Sequence, residues 1–232
     1  MQIGLLIFSR IDSKRLPRKA FKYIGERTLI GRVLDRARLV KGNYKIVLVT
    51  SDRVVDDPLI EFAKEEKIKY FRGSLNNIIL RAVNCCEHFG FSAFARICGD
   101  RPFHCPKILE KLISIYKKKN YDLVTNCMVK TFPRGLSAEV ISLKTLKEIS
   151  NMTKDPFDLE HITNYPYLNS KRFKIFNLKC KLENLKKYNL SVDTYYDLMR
   201  AKWIVSNLDS NSSSETIEKI FSLMKLWRIK RL

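Results

Sequence analysis

Residues 2–19, QIGLLIFSRIDSKRLPRK, decide how the rest of the chain is read. Residues 2–8 are almost wholly apolar and read as a buried strand, far shorter than the ~20 residues needed to span a bilayer. This opening has no basic region and no small-residue cleavage site, so it does not read as a signal peptide. The character then reverses. Residues 10–22 hold six basic residues and one acid, Asp12, with Pro17 among them. A packed loop with that much positive charge, entered directly from a buried strand, needs a counter-anion.

Working outward, apolar β-rich runs alternate with amphipathic ones. Residues 28–39 place Leu29, Ile30, Val33, Leu34 and Ala37 on one helical face. Residues 45–50 read as a strand, 58–66 as a short helix, 68–71 as a strand, and 76–89 as a helix. Residues 93–97 form a further strand, followed by the turn Gly99-Asp100-Arg101-Pro102. A helix over 106–117 starts on proline, as capping physics favours, and 121–125 is a strand. This rhythm predicts an α/β fold, a mostly parallel sheet with helices on both faces. Ligands of such sheets sit at the carboxyl ends of strands, and both the loop 9–19 and the Gly99–Arg101 turn lie at such ends.

After residue 126 the rhythm breaks. Residues 131–142 suggest a loop running into a strand, 157–168 are mixed, and 173–178 and 188–192 read as short strands. A helix from Tyr195 to about Leu208, a polar break at Ser210–Ser214 and a last amphipathic helix complete the chain. We expect one α/β domain over 1–210, with 127–185 as an arm or insertion on it. Residues 211–232 form a C-terminal helix and basic tail.

The 232 residues include 45% hydrophobic and 11% aromatic side chains, enough for a core, which excludes a disordered chain. The six cysteines form no C-x-x-C pair, which argues against a zinc ribbon and a secreted disulfide framework and for a reduced, cytoplasmic protein. Neither a Walker P-loop nor a G-x-G-x-x-G fingerprint occurs. Against 24 acids stand 44 Lys and Arg, a formal charge of +20. That surplus has three readings: nucleic acid, a small polyanion, or a solvated Lys-rich surface. A second basic cluster, 171–187, is interleaved with Phe173, Ile175, Phe176 and Leu178 and reads as the wet face of a strand.

Several residue types point to chemistry. Arg10, Arg15 and Lys19, with the Ser13 hydroxyl, put three cations and a hydroxyl within ten residues. Three cations converging on one point suit a triphosphate, where charge neutralisation and positioning dominate catalysis; a basic surface loop is the plainer alternative. Asp100 and Asp193 each follow an apolar strand, where a carboxylate serves as a hard ligand for Mg²⁺ or as a helix N-cap. Arg72-Gly73-Ser74 is either a nucleotide-approaching turn before a helix or an ordinary strand–helix turn. Glu139 alternates with apolar neighbours and suits hydrogen bonds from a polyhydroxy substrate. Glu160 and His161 pair a carboxylate with an imidazole that is either structural or set against a substrate anion.

Taken in order, these segments resemble the cytidylyltransferases that make CMP-activated acidic sugars, the acylneuraminate and 3-deoxy-manno-octulosonate enzymes, and in particular the spore-coat polysaccharide biosynthesis protein F group. The likeness covers residue 2 to about 200. It rests on R-x-x-S-x-R-L-P-x-K at Arg10–Lys19, R-G-S at Arg72–Ser74 with the later Arg81, and R-I-x-G-D-x-P at Arg96–Pro102. It continues with F-P-x-G-x-x-x-E at Phe132–Glu139, E-H-x-T at Glu160–Thr163, and V-D-T-x-x-D at Val192–Asp197. The resemblance implies a nucleotide-diphospho-sugar transferase fold of GT-A-like type and transfer of CMP from CTP to a 2-keto sugar acid with loss of pyrophosphate. It implies that Arg10, Ser13, Arg15, Lys19, Arg72, Gly73, Ser74 and Arg81 bind the nucleotide, and that Arg10, Arg15, Lys19 and Asp100 are catalytic. Asp100 and Asp193 would hold Mg²⁺, Arg101, Glu139, Glu160 and His161 would face the acceptor, and the chain would form a homodimer.

Four positions depart from the family pattern. Arg18 stands where glycine is usual, Asp12 where a small residue is common, Asn77 where aspartate is frequent, and Arg101 where small or polar residues are usual. Two competing readings remain at this point. A nucleotide-sugar glycosyltransferase shares the α/β pattern, but its D-x-D motif is absent from the chain. A basic nucleic-acid-binding protein would explain the charge and would show steep salt dependence, but no homeodomain, zinc-finger or RRM signature is visible.

Overall fold

Ile3, Leu5 and Ile7 of the first strand face one apolar cluster, and Leu6 faces another. This period-two alternation is what a strand sandwiched between two helical layers requires. The computed structural model describes residues 1–180, 185–208 and 216–229. In chain order its strands are β1 (Ile3–Phe8), β2 (Tyr23–Ile24), β3 (Arg27–Thr28), β4 (Lys45–Ser51), β5 (Lys69–Gly73), β6 (Ala93–Cys98), β7 (Leu123–Thr125), β8 (Glu139–Ser142) and β9 (Ile175–Asn177). The helices are α1 (Leu29–Arg38), α2 (Asp57–Glu65), α3 (Ile78–Phe89), α4 (Pro106–Lys118), α5 (Leu143–Met152), α6 (Pro156–Glu160), α7 (Asn164–Leu168), α8 (Tyr195–Ser206) and α9 (Ile217–Ile229).

Seven strands form one sheet in the order β5-β4-β1-β6-β8-β7-β9, and β2 and β3 form a separate small hairpin. The pairs β5–β4, β4–β1, β1–β6 and β7–β9 are parallel, whereas β8 runs antiparallel to both β6 and β7. The α/β sheet with helices on both faces is therefore as the alternating pattern predicts. Apolar side chains of α1, α2 and α4 cover one face, and those of α3 and α5 cover the other. Each fully buried Leu, Ile or Val contributes roughly 1.5–3 kcal/mol. Segment 127–185 supplies β8 and β9 to the sheet.

Differences from the sequence reading have local causes. Residues 188–192 are not a strand; a single parallel bridge joins Asn189 to Arg134. The Asn189 Oδ1 accepts from both the Ser191 amide (3.0 Å) and its hydroxyl (2.7 Å), a local turn that competes with ladder bonding. The β2–β3 hairpin was not foreseen, because two-residue strands carry no periodic signal. Helix α5 was also missed, although Ser142 caps it by accepting from the Thr145 amide at 2.8 Å. Of the C-terminal basic residues, Lys225 and Arg228 lie on the exposed side of α9, while Lys230, Arg231 and the Ser210–Ser214 break lie outside the described residues. Helices α8 and α9 pack with Leu29, Leu136, Leu190 and Val192 into a third apolar cluster. Among the described residues no helix is long and apolar enough to cross a membrane.

Candidate active site

Strands β1 and β6 lie side by side and parallel, with Phe8 opposite Cys98, so the chain leaves both at the same edge. The Gly99 amide donates to the Phe8 carbonyl at 2.8 Å. A Cβ on Gly99 would stand 2.8 Å from the Ser9 Cβ and 3.0 Å from the Phe8 carbonyl oxygen. Glycine alone permits that approach, and it sets Asp100 beside the start of the basic loop.

Lys19 opens a short 3₁₀ turn, Lys19–Phe21. Its ammonium donates to the Val192 carbonyl (3.0 Å) and to Asp193 Oδ1 (2.9 Å), and lies 3.8 Å from Asp100 Oδ2. Both carboxylates foreseen as metal ligands therefore meet on one cation. Asp193 is buried, and two more cations reach it: the Arg15 guanidinium at 3.0 Å from Oδ1 and that of Arg134 at 2.6 Å from Oδ2. Burial pushes the Asp193 pKa up, but the Lys19 hydrogen bond and the charges of Lys19, Arg134 and Arg15 outweigh it, and the net shift is downward. Asp193 is not the helix cap. Thr194 caps α8 in a capping box with Asp197, and Asp197 Oδ2 also accepts from the Asp193 amide at 3.1 Å. The cap work thus falls on its neighbours, and the Asp193 carboxylate is left to the cations.

The basic loop is held from below by Asp56, which is fully buried. Its Oδ1 accepts from the Ile11 amide at 2.7 Å, and its Oδ2 accepts from the Ser51 hydroxyl and, at 3.2 Å, from Arg53. Arg53 also reaches Asp12 Oδ2 at 2.6 Å. That bond, the strongest influence on Asp12, lowers its pKa. Asp12, one of the departures from the family pattern, is thereby neutralised by Arg53 and by Arg10, whose Nε is 3.6 Å away. Ser13 is half-buried and donates its amide to the Ile11 carbonyl at 3.0 Å. Arg18, in the place usually held by glycine, takes the left-handed conformation, φ 52° and ψ 31°.

The Arg72–Ser74 turn is tied down internally. The Arg72 guanidinium lies 2.8 Å from Asp57 and donates to the Arg53 carbonyl at 3.0 Å. Ser74 Oγ accepts from the Asn77 amide at 3.1 Å, and Asn77 in turn caps α3 through Leu80, so asparagine at this departure retains a capping oxygen. A Cβ on Gly73 would meet the Arg81 Cγ at 2.9 Å. Arg81 is itself buried and gives its guanidinium to the Ser74 carbonyl (2.6 and 2.8 Å) and the Leu75 carbonyl (3.0 Å). Arg81, expected at the nucleotide, thus shapes the Arg72–Ser74 turn from within.

The expected acceptor residues fall into two groups. Glu139 is buried and spends both oxygens on protein groups: Arg96 at 3.0 Å on Oε2, and the hydroxyls of Thr163 (2.6 Å) and Tyr167 (2.5 Å) on Oε1. Burial pushes its pKa up, and Arg96 with the two hydroxyls brings the net shift below the usual glutamate value. Thr163 thus joins the E-H-x-T stretch to the F-P-x-G-x-x-x-E stretch. Glu160 and His161 are exposed; Glu160 Oε1 is 3.4 Å from Arg10, and the His161 ring lies 4.2 Å from that of Phe157. Arg101 donates to the Ser137 carbonyl at 2.9 Å and lies 3.9 Å from Asp100. The sequence reading passed over Arg134, Asp56, Arg53, Arg96 and Tyr167. Arg134 and Arg96 stand inside quoted motifs, but nothing in the spacing singles out Asp56 or Tyr167.

Among the described residues no three His, Cys, Asp or Glu side chains converge as a metal site. Two carboxylates on one cation still fit Mg²⁺, which usually takes one or two carboxylates and completes its shell with water and substrate phosphates.

A family model described as cytidylyltransferase matches residues 5–228. The chain belongs to that family. This cytidylyltransferase is 28% identical over 204 residues to the spore coat polysaccharide biosynthesis protein SpsF of Bacillus subtilis, covering 84% of this chain and 82% of that protein. It is 27% identical over 128 residues to the 8-amino-3,8-dideoxy-manno-octulosonate cytidylyltransferase of Shewanella pealeana, covering 54% of this chain and 52% of that one. A solved cytidylyltransferase from Leptospira borgpetersenii superposes with a TM-score of 0.89 at 29% identity, covering 100% of this chain and 95% of that one. The protein is a CTP-dependent nucleotidyltransferase, and the glycosyltransferase and nucleic-acid readings give way.

Proposed function

We propose that this cytidylyltransferase transfers CMP from CTP to an acidic sugar, a 2-keto sugar acid such as a nonulosonic or octulosonic acid, for surface polysaccharide or glycan biosynthesis. The observation that carries the reading is the meeting of Lys19 with Asp193 and Asp100 at the shared edge of β1 and β6. The relatives named for spore-coat polysaccharide and for an octulosonate favour the acidic sugar.

In this reading a hydroxyl oxygen of the acceptor bonds to the α-phosphorus, the α–β bridging P–O bond breaks, and pyrophosphate leaves while the hydroxyl proton passes to solvent. Arg10, Arg15 and Lys19 bind the triphosphate and neutralise its charge; Ser13 and the Arg72–Ser74 turn lie on the nucleotide side. Asp100 and Asp193 would hold Mg²⁺, which supplies charge neutralisation at the phosphates when bound. Arg101, Glu160 and His161 line the acceptor side, with Glu139 fixing the floor beneath. We place the enzyme in the cytoplasm, which suits six unpaired cysteines, as a homodimer using segment 127–185.

The test is a screen of nucleoside triphosphates against candidate 2-keto sugar acids, read by pyrophosphate release with and without Mg²⁺. CTP with a sugar acid is expected to be the productive pair, and Asp100→Ala to abolish turnover. Release with neutral sugars alone would overturn the acceptor, and full activity of Asp100→Ala would overturn the metal site.

A further inference from the structure

Arg134 stands inside the F-P-x-G-x-x-x-E stretch, at a position to which the motif gives no role. Its backbone is stitched to the segment before Asp193: the Arg134 amide donates to the Tyr188 carbonyl (3.1 Å), and its carbonyl accepts from the Leu190 amide (2.7 Å). The next residue, Gly135, has φ 97°, and a Cβ there would stand 2.6 Å from the Leu190 carbonyl carbon, so only glycine lets the two segments touch. The backbone is fixed, while the side chain is 58% exposed and rests on Asp193 at 2.6 Å. Arg15, 61% exposed, occupies the other oxygen of the same carboxylate. One buried carboxylate thus holds two mostly exposed guanidinium groups in addition to Lys19.

We infer that Arg134 is a substrate-binding residue that transfers from Asp193 to the departing β,γ-phosphates of the nucleotide, adding a fourth cation to Arg10, Arg15 and Lys19. A planar guanidinium matches a phosphate edge in two parallel hydrogen bonds. Its fixed backbone and exposed head allow that exchange without moving the fold. The phosphate is favoured over the acceptor's carboxylate because Arg134 converges on the same carboxylate as Arg15 and Lys19. The inference rests on the triphosphate site proposed above.

The experiment is calorimetric titration of the full chain with inorganic pyrophosphate, and with CTP and Mg²⁺, in the absence of any acceptor. Arg134→Ala is expected to weaken both by about tenfold, the scale of one charge-assisted contact, and Arg134→Lys to recover part of the loss. Unchanged pyrophosphate and CTP affinity in Arg134→Ala overturns the inference, as does an effect confined to the acceptor KM. Asp193 keeps Lys19 and Arg15 in that variant, so folding is expected; should it fail, Arg134→Gln with wild-type affinity overturns the inference. Wild-type protein that binds neither probe overturns the triphosphate site itself, a separate result.

Discussion

The Lys19 ammonium donates to Asp193 at 2.9 Å although the two residues are 174 positions apart. Lys19 also holds the Val192 carbonyl, so it sets both the carboxylate and the backbone on which the carboxylate rides. Asp193 nevertheless keeps Arg15 and Arg134 if Lys19 is removed. Lys19→Ala is therefore expected to fold while kcat/KM for CTP falls about a hundred- to thousandfold, as when a preorganised charge is removed from a transition state. Pyrophosphate-release kinetics alongside thermal unfolding check this; a variant with normal kinetics would remove Lys19 from the chemistry.

Asp56 offers a contrast between burial and exposure. Asp56→Ala strands the Ile11 amide, the Ser51 hydroxyl and part of Arg53, and should destabilise by about 3 kcal/mol. Asp12→Ala breaks only exposed pairs, with Arg53 and with Arg10, and should cost at most about 1 kcal/mol. Denaturant midpoints separate the two, and equal losses would contradict the anchoring role of Asp56.

Arg18 holds a left-handed backbone that glycine adopts freely. Such a conformation costs an L-residue roughly 1–2 kcal/mol, offset in part by the greater unfolded-state freedom of glycine. Arg18→Gly should stabilise by up to about 1 kcal/mol and Arg18→Ala should not. Urea titration of the three proteins decides it, and a destabilised Arg18→Gly would show that the arginine head compensates.

His104 makes stability depend on pH. Its ring is buried, and Nε2 lies 3.1 Å from the Val33 carbonyl. A carbonyl only accepts, so the neutral ring carries its proton on Nε2. Burial first and the Arg36 charge second push its pKa down to about 3 from 6.5. Between those values the unfolded chain binds a proton that the folded chain does not, so stability falls as pH is lowered through that window. The slope is about 1.4 kcal/mol per pH unit at most. His104→Gln should show a shallower loss between pH 6 and 5 by urea denaturation; parallel curves for the two proteins would refute the assignment.

The central architecture was readable because β1, β4, β5 and β6 alternate with strongly amphipathic helices, and a strand and a helix impose different periods on the same apolar residues. The carboxyl ends of these strands place the Arg10–Lys19 loop and Asp100 at one edge of the sheet. Residues 188–192 misled because an apolar run interrupted by asparagine and serine has the composition of a strand but local partners for its polar atoms. Asp56 was invisible for a different reason: its importance lies in contacts to Ile11 and Ser51, and a carboxylate shows no sign in sequence of being buried. Glu139 was found as a polar residue in an apolar strand, but whether it faces a substrate or Arg96, Thr163 and Tyr167 depends on elements 43, 24 and 28 positions away.

Strand β8 lies between β6 and β7 in the sheet, and this sets a calendar for synthesis. As the chain emerges from its N-terminus, the parallel block of β1, β4, β5 and β6 is complete by residue 98, but the open flank of β6 has no neighbour until residues 139–142 arrive. Domains fold as they are made, and unpaired flanks are where nascent chains aggregate. Asp193 comes later still. Lys19 therefore leaves the ribosome 174 positions ahead of Asp193, and until then the loop lacks the buried carboxylate on which Lys19 and Arg15 meet.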